Sequence, residues 1–167
     1  LPGRPQRPRR RLASAVVSGT LASLADLTTL RVGGPIRRID ETTSAAELID
    51  AVRGADADRE RLLLLGGGSN LVGSDDGWDG VAVLVRSAGV TAIEQDDEQV
   101  LVEVAAGHPW DDLVATSIDA GWSGLEALSG VPGLVGGAVV QNIGAYGSEL
   151  AAMTASALVL DRRDPSG

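Results

Sequence analysis

The chain has 167 residues, of which 44% are hydrophobic, and this length suffices for one domain with a buried core or for two small lobes. All 14 of its basic residues are arginine, and the absence of lysine excludes lysine-based phosphate loops and Schiff-base chemistry. The absence of cysteine excludes disulfides and thiolate chemistry, and the single histidine excludes histidine-rich metal sites. Five of the arginines fall in the first 11 residues, so residues 12–167 carry 9 positive and 23 negative charges, an acidic balance that disfavours nucleic acid as a partner.

Residues 1–24 are expected to form a disordered or partly helical extension. Within it the apolar segment 12–25 follows the arginines in the manner of a secretory leader, but serine and threonine side chains interrupt it. Elsewhere no stretch approaches the roughly 20 apolar residues that a membrane span needs. We therefore expect neither export nor a membrane partner.

The remaining sequence predicts a mixture of helices and strands. Residues 28–34 are expected to be extended and to end in a turn, and Ser44 with Glu47 has the capping-box pattern of a helix that runs through Arg53. A second helix is predicted at 109–120, and turn residues close the chain at 164–167. Strands are predicted at 62–65 (a buried one), 81–85, 90–93, 101–105 and 157–160.

A first glycine-rich run, Gly66-Gly67-Gly68-Ser69-Asn70, directly follows the strand predicted at 62–65. Consecutive residues without bulky side chains allow several backbone N–H groups to turn toward one anion. The spacing differs from the Gly-x-Gly-x-x-Gly dinucleotide fingerprint and a loop follows it, so a Rossmann site is disfavoured. A tight turn between two strands is the alternative interpretation.

A second glycine-rich run extends from Gly121 to Gly147 and contains three polar side chains, Gln141, Asn142 and Tyr146, in apolar surroundings. Such a density of glycine costs backbone entropy on folding, and close approach of a flat ligand explains it. The amide side chains suit the polar edge of an isoalloxazine or an adenine ring. A glycine-rich packing loop is the alternative. Together the two runs indicate a dinucleotide cofactor held between them.

The motifs at 28–34, 65–71 and 124–147 resemble those of the UDP-N-acetylenolpyruvoylglucosamine reductases, cytoplasmic flavoenzymes of peptidoglycan precursor synthesis, and they follow that family's order and spacing across residues 26–161. The resemblance implies an α+β fold, a two-lobed FAD-binding domain of the vanillyl-alcohol-oxidase type, with residues 25–86 as the small lobe and 87–167 as an incomplete second lobe. It implies FAD as cofactor, NADPH as reductant and a UDP-sugar as substrate. Flavin N5 would pass hydride to the enolpyruvyl double bond and so form UDP-N-acetylmuramate.

The resemblance also assigns residues by position. It places the FAD pyrophosphate on backbone N–H groups of the first run: Gly66, Gly67, Gly68, Ser69 and Asn70. It places the isoalloxazine and ribityl side against parts of the second run: Val131, Pro132, Gly133, Gly136, Gly137, Ala138, Gln141, Asn142, Ile143 and Gly144. Tyr146 would lie toward the substrate's phosphates. No catalytic residue and no metal ligand are assigned.

The sequence departs from the family where catalysis is concerned. In the family a proton-donating serine, and an arginine and a glutamate that stabilise the enol intermediate, come from later segments. This sequence contains no Tyr-Arg pair and no phenylalanine, so the motifs that carry those residues are missing. We therefore expect the chain to supply an FAD-binding part, truncated before the substrate domain and inactive or nearly inactive alone.

Two other interpretations stay open: a non-catalytic FAD- or nucleotide-binding module, and a gene fragment without function. Among single residues, His108 precedes Pro109 at the predicted helix start, which favours a capping or surface role over a covalent flavin anchor. Arg31 adjoins Gly33 and Gly34 in a matching motif and is expected to face the cofactor.

Overall fold

The computed structural model describes residues 16–17 and 20–163, with side chains from residue 22 onward. The arginine-rich beginning of the expected 1–24 extension and the turn expected at 164–167 lie outside the described residues. Strands β1 (Val16–Val17) and β2 (Thr20–Leu21) pair antiparallel and lead into the short helix α1 (Leu24–Leu27). The mixed helix and strand content expected from the sequence is confirmed.

A three-stranded parallel sheet organises the first part of the chain. Its strands are β3 (Ile36–Thr42), β4 (Leu62–Leu65) and β5 (Trp78–Val85), in the spatial order β3-β5-β4. Helix α2 (Ala45–Ala57) makes the crossover from β3 to β4. Strands β4 and β5 were predicted, whereas the sequence analysis missed β3, whose buried residues Ile36, Ile39 and Thr42 are separated by pairs of charged residues and so give no alternating apolar pattern.

Strand β5 lies in the middle of the sheet, and both of its faces are apolar. Val81 and Val83 pack against the α2 side with Ala55, while Ala82 and Leu84 pack on the opposite face in a cluster with Leu24, Ile36, Ile39 and Leu65. Continuous burial of this kind is typical of the middle strand of a parallel sheet. Strand β4 is less enclosed than predicted, since the side chain of Leu64 is 51% exposed.

The start of α2 confirms the predicted cap with one change of partner. Ser44 Oγ accepts a hydrogen bond from the backbone N–H of Glu47 at 3.2 Å, but the Glu47 carboxylate accepts from the backbone N–H of Thr43 at 2.7 Å and from its hydroxyl at 2.9 Å. These donors, the Thr43 N–H first among them, lower the pKa of Glu47. The helix then continues to Ala57, beyond the predicted end at Arg53.

The second part of the chain combines a hairpin with helices. It contains β6 (Val90–Gln95), β7 (Val100–Val104), α3 (Trp110–Asp119), α4 (Val135–Gln141), the small hairpin β8 (Gly144–Ala145) with β9 (Ser148–Glu149), and 3-10 turns at Glu126–Leu128 and Leu150–Met153. A separate core forms around Trp110, which is 1% exposed. Its indole N–H donates to the carbonyl of Leu128 at 2.8 Å, so the largest buried side chain also has its polar atom satisfied.

The strand predicted at 157–160 is wrong. This segment has no regular secondary structure and pairs with no strand among the described residues, and Leu158 and Val159 are 103% and 79% exposed. A β-type sequence becomes a strand only when a neighbouring strand takes its hydrogen bonds. Just beyond the segment, Arg162 Nε donates to Asp56 Oδ2 on α2 at 3.2 Å, so the chain returns to the first lobe there.

No helix in the described part of the chain is both long and apolar enough to cross a bilayer. The longest, α2, has 13 residues, fewer than the ~20 that a membrane-spanning helix requires.

The lowered pKa of Glu47 gives the stability of the fold a defined pH dependence. Because the folded-state pKa lies below the unfolded one, the carboxylate stabilises the fold at neutral pH, and this contribution is lost as pH falls through the folded-state pKa. We expect Glu47→Gln to lower the urea midpoint at pH 7 and to converge with the parent chain as the pH falls through the lowered folded-state pKa of Glu47. The exposed Glu98→Gln should leave the midpoint unchanged at both pH values; an equal gap for Glu47→Gln at pH 7 and pH 3 would refute this cap.

Candidate functional site

The three parallel strands end at the same edge of the sheet. Thr42 is level with Val85 and Leu65 is level with Leu84, so Gly66, which follows β4, lies beside Val85, and Arg86, which follows β5, is one residue further along the same edge. Ligands of open parallel sheets bind at this carboxyl edge. The first glycine-rich run is therefore placed where a ligand is expected.

In the first run two carbonyl groups accept hydrogen bonds from other parts of the protein, whereas the N–H groups find no acceptor among the described residues. Arg86 Nη1 donates to the carbonyl of Gly66 at 3.0 Å, and the backbone N–H of Thr29 donates to the carbonyl of Gly68 at 3.0 Å. By contrast, none of the five backbone N–H groups of residues 66–70 donates to an acceptor within residues 16–17 and 20–163. Unpartnered consecutive N–H groups are an anion-binding arrangement.

Gly68 can adopt this conformation only because it has no side chain. Its φ is +69°, and a Cβ built on it would lie 2.0 Å from the carbonyl oxygen of Leu27. The turn is thus pressed against the end of α1 and the start of the Thr28–Gly34 motif. Two of the sequence motifs that were singled out separately are in direct contact.

The second run packs directly against the first. Ser69 Oγ donates to the carbonyl of Pro132 at 3.2 Å, and a Cβ on Gly67 would lie 3.2 Å from the Cα of Gly133. A Cβ on Gly66 would likewise lie 3.3 Å from Leu134 Cδ1. The structure therefore brings together the residues assigned to the pyrophosphate and the beginning of those assigned to the flavin.

A turn after β7 connects the two runs through Ser87. Ser87 Oγ accepts from the backbone N–H of Gly107 at 3.1 Å, and the carbonyl of the preceding Ala106 accepts from the N–H of Gly136 at 2.8 Å. The N–H of Val135 donates to the carbonyl of His108 at 2.9 Å. These bonds start α4 despite its two glycines, which explains why the sequence did not predict this helix.

The assigned residues of α4 divide into a buried and an open face. Ala138 is buried in the Trp110 core, and Val131 and Ile143 pack partly buried against that core. Gly137 faces open space, since the nearest atom to a Cβ built on it would be Gln141 Nε2 at 3.9 Å. The open face of α4 is therefore the part of this helix that a ligand can approach.

Asn142 is occupied within the protein. It ends α4 in the left-handed conformation, with φ 44° and ψ 60°, and its carboxamide donates to Glu149 Oε2 at 3.1 Å and accepts from the N–H of Ala151 at 2.8 Å. Gly144, which pairs with Glu149, belongs to the hairpin that these bonds hold. The Asn142 side chain thus fixes the backbone beyond α4, whereas the neighbouring Gln141 is exposed.

Tyr146 lies at the tip of the β8–β9 hairpin. It has φ 53° and precedes Gly147 with φ 83°, the pair of positive values that a type I′ turn requires. Few bulky residues adopt this conformation, and the side chain of Tyr146 is 94% exposed. The turn therefore presents the phenol to solvent.

His108 and Arg31 have limited roles in the described structure. His108 Nδ1 accepts from the N–H of Gly89 at 3.4 Å, while its Nε2 is buried without a partner among the described residues. Arg31 is exposed with φ 54° on the loop whose Thr29 bonds to Gly68. No group of three or more His, Cys, Asp or Glu side chains that could hold a metal ion occurs in the described part of the chain.

Two residues near the glycine-rich runs were missed by the sequence analysis: Arg86, which donates to the carbonyl of Gly66, and Ser87, which accepts from the N–H of Gly107. The signal for Arg86 was present, because it immediately follows a predicted strand and Gly66 follows another. Recognising it required knowing that the two strands are parallel neighbours, which hydrophobic patterns alone do not establish.

The contact at Gly68 makes a sharp prediction. Gly68→Ala should destabilise the fold by more than about 2 kcal/mol, because the left-handed conformation and the clash with the Leu27 carbonyl add. Gly54→Ala on α2, where nothing lies within 4 Å, should instead stabilise by about 0.5–1 kcal/mol. Urea unfolding of both variants checks the pair, and a Gly68→Ala chain as stable as the parent would contradict the described turn.

Comparison with known proteins agrees with this geometry. A family model described as an FAD binding domain matches residues 36–163. The chain is 50% identical over 139 residues to the UDP-N-acetylenolpyruvoylglucosamine reductase of Salinispora arenicola, a match that covers 83% of this chain and 38% of that relative. It is 48% identical over 139 residues to the reductase of Thermobifida fusca, a match that covers 83% of this chain and 39% of that relative. The crystal structure of the Thermus caldophilus reductase matches with a TM-score of 0.59 and 32% identity, over 78% of this chain and 44% of that one.

These matches confirm the resemblance and the fold class inferred from the glycine-rich motifs. The chain spans about two-fifths of the length of the curated relatives it matches. The family match covers well over half of the chain, from the start of β3 to the last described residue, and includes both glycine-rich runs. The chain therefore belongs to the FAD-binding domain family.

Proposed function

We propose that this chain binds FAD along the edge where its two glycine-rich runs meet, as the FAD-binding part of a UDP-N-acetylenolpyruvoylglucosamine reductase. One observation carries the proposal: five consecutive backbone N–H groups, at residues 66–70, have no acceptor among the described residues. Such groups bind the oxygens of a pyrophosphate without any lysine, which this chain lacks. The matches to FAD-binding proteins support the same assignment.

The direct contact of the runs constrains where the flavin lies. Because Gly67 and Gly133 touch, the cofactor cannot pass between the two backbones there and instead lies beside the contact. The open face of α4, with Gly137 and the exposed Gln141, is the surface available to the isoalloxazine and ribityl side. Gln141 supplies a donor and an acceptor, while Asn142 acts by holding the backbone.

The proposed reaction is the NADPH-driven reduction of UDP-N-acetylglucosamine enolpyruvate to UDP-N-acetylmuramate, in the cytoplasm, for cell-wall synthesis. Bound FAD supplies the hydride chemistry that the side chains of this chain cannot. The exposed Tyr146 phenol, held by its turn, is proposed to donate a hydrogen bond to the substrate's phosphates. The names of the relatives support the substrate class.

Gly137 tests the site without threatening the fold. Because a Cβ built on the exposed Gly137 has no neighbour beyond its own helical turn closer than Gln141 Nε2 at 3.9 Å, Gly137→Leu should leave the urea midpoint at or above that of the parent chain. We expect it to weaken FAD binding at least about tenfold, because the new side chain takes the space proposed for the flavin. The change in the visible absorbance band of the flavin on titration reports binding.

The matched control is Gly54→Leu, also a helical glycine with nothing within 4 Å, which lies on α2 away from both runs and should bind FAD as the parent chain does. Unchanged FAD affinity in Gly137→Leu would remove α4 from the proposed site. Absence of flavin binding by the folded parent chain would refute FAD binding by this polypeptide.

We further propose that this chain alone binds FAD but does not turn over. The residues assigned to the cofactor offer backbone groups, apolar side chains, amides and the Ser69 hydroxyl, which donates to the carbonyl of Pro132, and none of them is assigned as the acid that protonates the substrate. The FAD-loaded chain should therefore show no substrate-dependent NADPH oxidation, while addition of the UDP-sugar perturbs the flavin spectrum. Substrate-dependent NADPH oxidation by the chain alone would overturn this proposal. A flavin spectrum that does not change on addition of the UDP-sugar would favour a non-catalytic FAD-binding module.

A further inference from the structure

We infer that Arg86 is a positioning residue for the cofactor: it holds the carbonyl of Gly66 so that the N–H of Gly67 is directed at the pyrophosphate. This inference rests on the proposed function, in which residues 66–70 bind that group. Arg86 lies outside the motifs at 28–34, 65–71 and 124–147. Its place in the fold, at the end of the central strand of the parallel sheet, is what suggests one.

Arg86 bonds to both neighbouring strands at the carboxyl edge of the sheet. Its backbone N–H donates to the carbonyl of Thr42 at the end of β3, at 2.8 Å. Its Nη1 donates to the carbonyl of Gly66, just beyond β4, at 3.0 Å, and to that of Val85 at 3.1 Å. The side chain therefore crosses from the middle strand to the first glycine-rich run and is fixed by two carbonyl acceptors.

The planarity of the peptide bond turns this contact into an orientation. In a trans peptide the carbonyl of one residue and the N–H of the next point in opposite directions, and no cis peptide occurs among the described residues. With the Gly66 carbonyl turned toward Arg86, the N–H of Gly67 must point away from it. Gly67 is exposed, and its N–H has no acceptor in residues 16–17 and 20–163.

The guanidinium also places a positive charge beside the run. Arg86 is partly exposed, and the nearest carboxylate, Glu41 on β3, is 4.0 Å from its Nε with its own side chain 60% exposed. The charge is thus only weakly compensated and favours an anion on the adjacent N–H groups. A hydrogen bond from a charged donor holds the peptide more firmly than a neutral one.

The experiment compares three variants of the full 167-residue chain by FAD titration, followed by the quenching of flavin fluorescence. Arg86→Gln should raise the Kd for FAD at least about tenfold, and Arg86→Lys, which keeps the charge but not the planar donor geometry, should recover part of the loss. Arg37→Gln is the matched control. Arg37 pairs with Glu60 at the opposite edge of the same sheet, at 2.7 Å, so its loss removes the same charge and should change the Kd less than about twofold.

A second readout distinguishes positioning from general loss of structure. In the chain without FAD, Arg86→Gln should shift the backbone amide resonance of Gly67, while the amides of α3 stay in place. An Arg86→Gln chain with the Kd of the parent, or with an unshifted Gly67 amide, overturns the inference.

Gly67→Ala tests the pyrophosphate assignment separately from the role of Arg86. A Cβ on Gly67 would lie 3.2 Å from the Cα of Gly133 and disturb the run itself. If Gly67→Ala weakens FAD binding and Arg86→Gln does not, the role of Arg86 fails and the pyrophosphate assignment stands. If neither variant changes the Kd, the pyrophosphate assignment fails as well.

Discussion

In the first glycine-rich run the carbonyl groups of Gly66 and Gly68 are bonded within the protein, while the N–H groups stay without an acceptor among the described residues. Arg86 donates to the carbonyl of Gly66 and Thr29 donates to that of Gly68, whereas the N–H groups of residues 66–70 have no acceptor in the described structure. Gly67 and Asn70 in this row are exposed and Gly68 is buried, so the free N–H groups lie at the surface, where water or a bound anion can accept from them. The parallel sheet, the tight turn at Gly68 and the packing of the second run all serve to hold this row in place.

The two halves of the proposed site belong to different cores. The first run extends from the β3-β5-β4 sheet, while the second belongs to the core around Trp110. Between them, Arg86 donates to the Gly66 carbonyl, and Ser87 accepts from the N–H of Gly107, whose neighbour Ala106 accepts from Gly136 in the second run. The direct bond from Ser69 to the Pro132 carbonyl completes the connection. A cofactor that contacts both runs therefore links two separately packed units, which is how such binding stabilises a fold.

Much of this could be predicted from the sequence because it depends on local patterns. The cap at Ser44, the strand at 81–85 and the glycine-rich turn after Leu65 each follow from neighbouring residues. What the sequence could not indicate depends on distant partners. Helix α4 forms because Ala106 and His108 accept bonds from its first turn, and segment 157–160 fails to form a strand because no described strand lies beside it. The role of Arg86 likewise requires the strand order β3-β5-β4, which no local pattern encodes.

The most direct measurement is a titration of the ¹⁵N-labelled chain with FAD, observed through its backbone amide resonances. The account predicts that the amides of residues 66–70 shift most and saturate together at one equivalent of FAD, because they are the free donors to the pyrophosphate. Binding of FAD that leaves these amides unmoved while other segments shift would contradict the account, since the cofactor would then lie elsewhere on the protein.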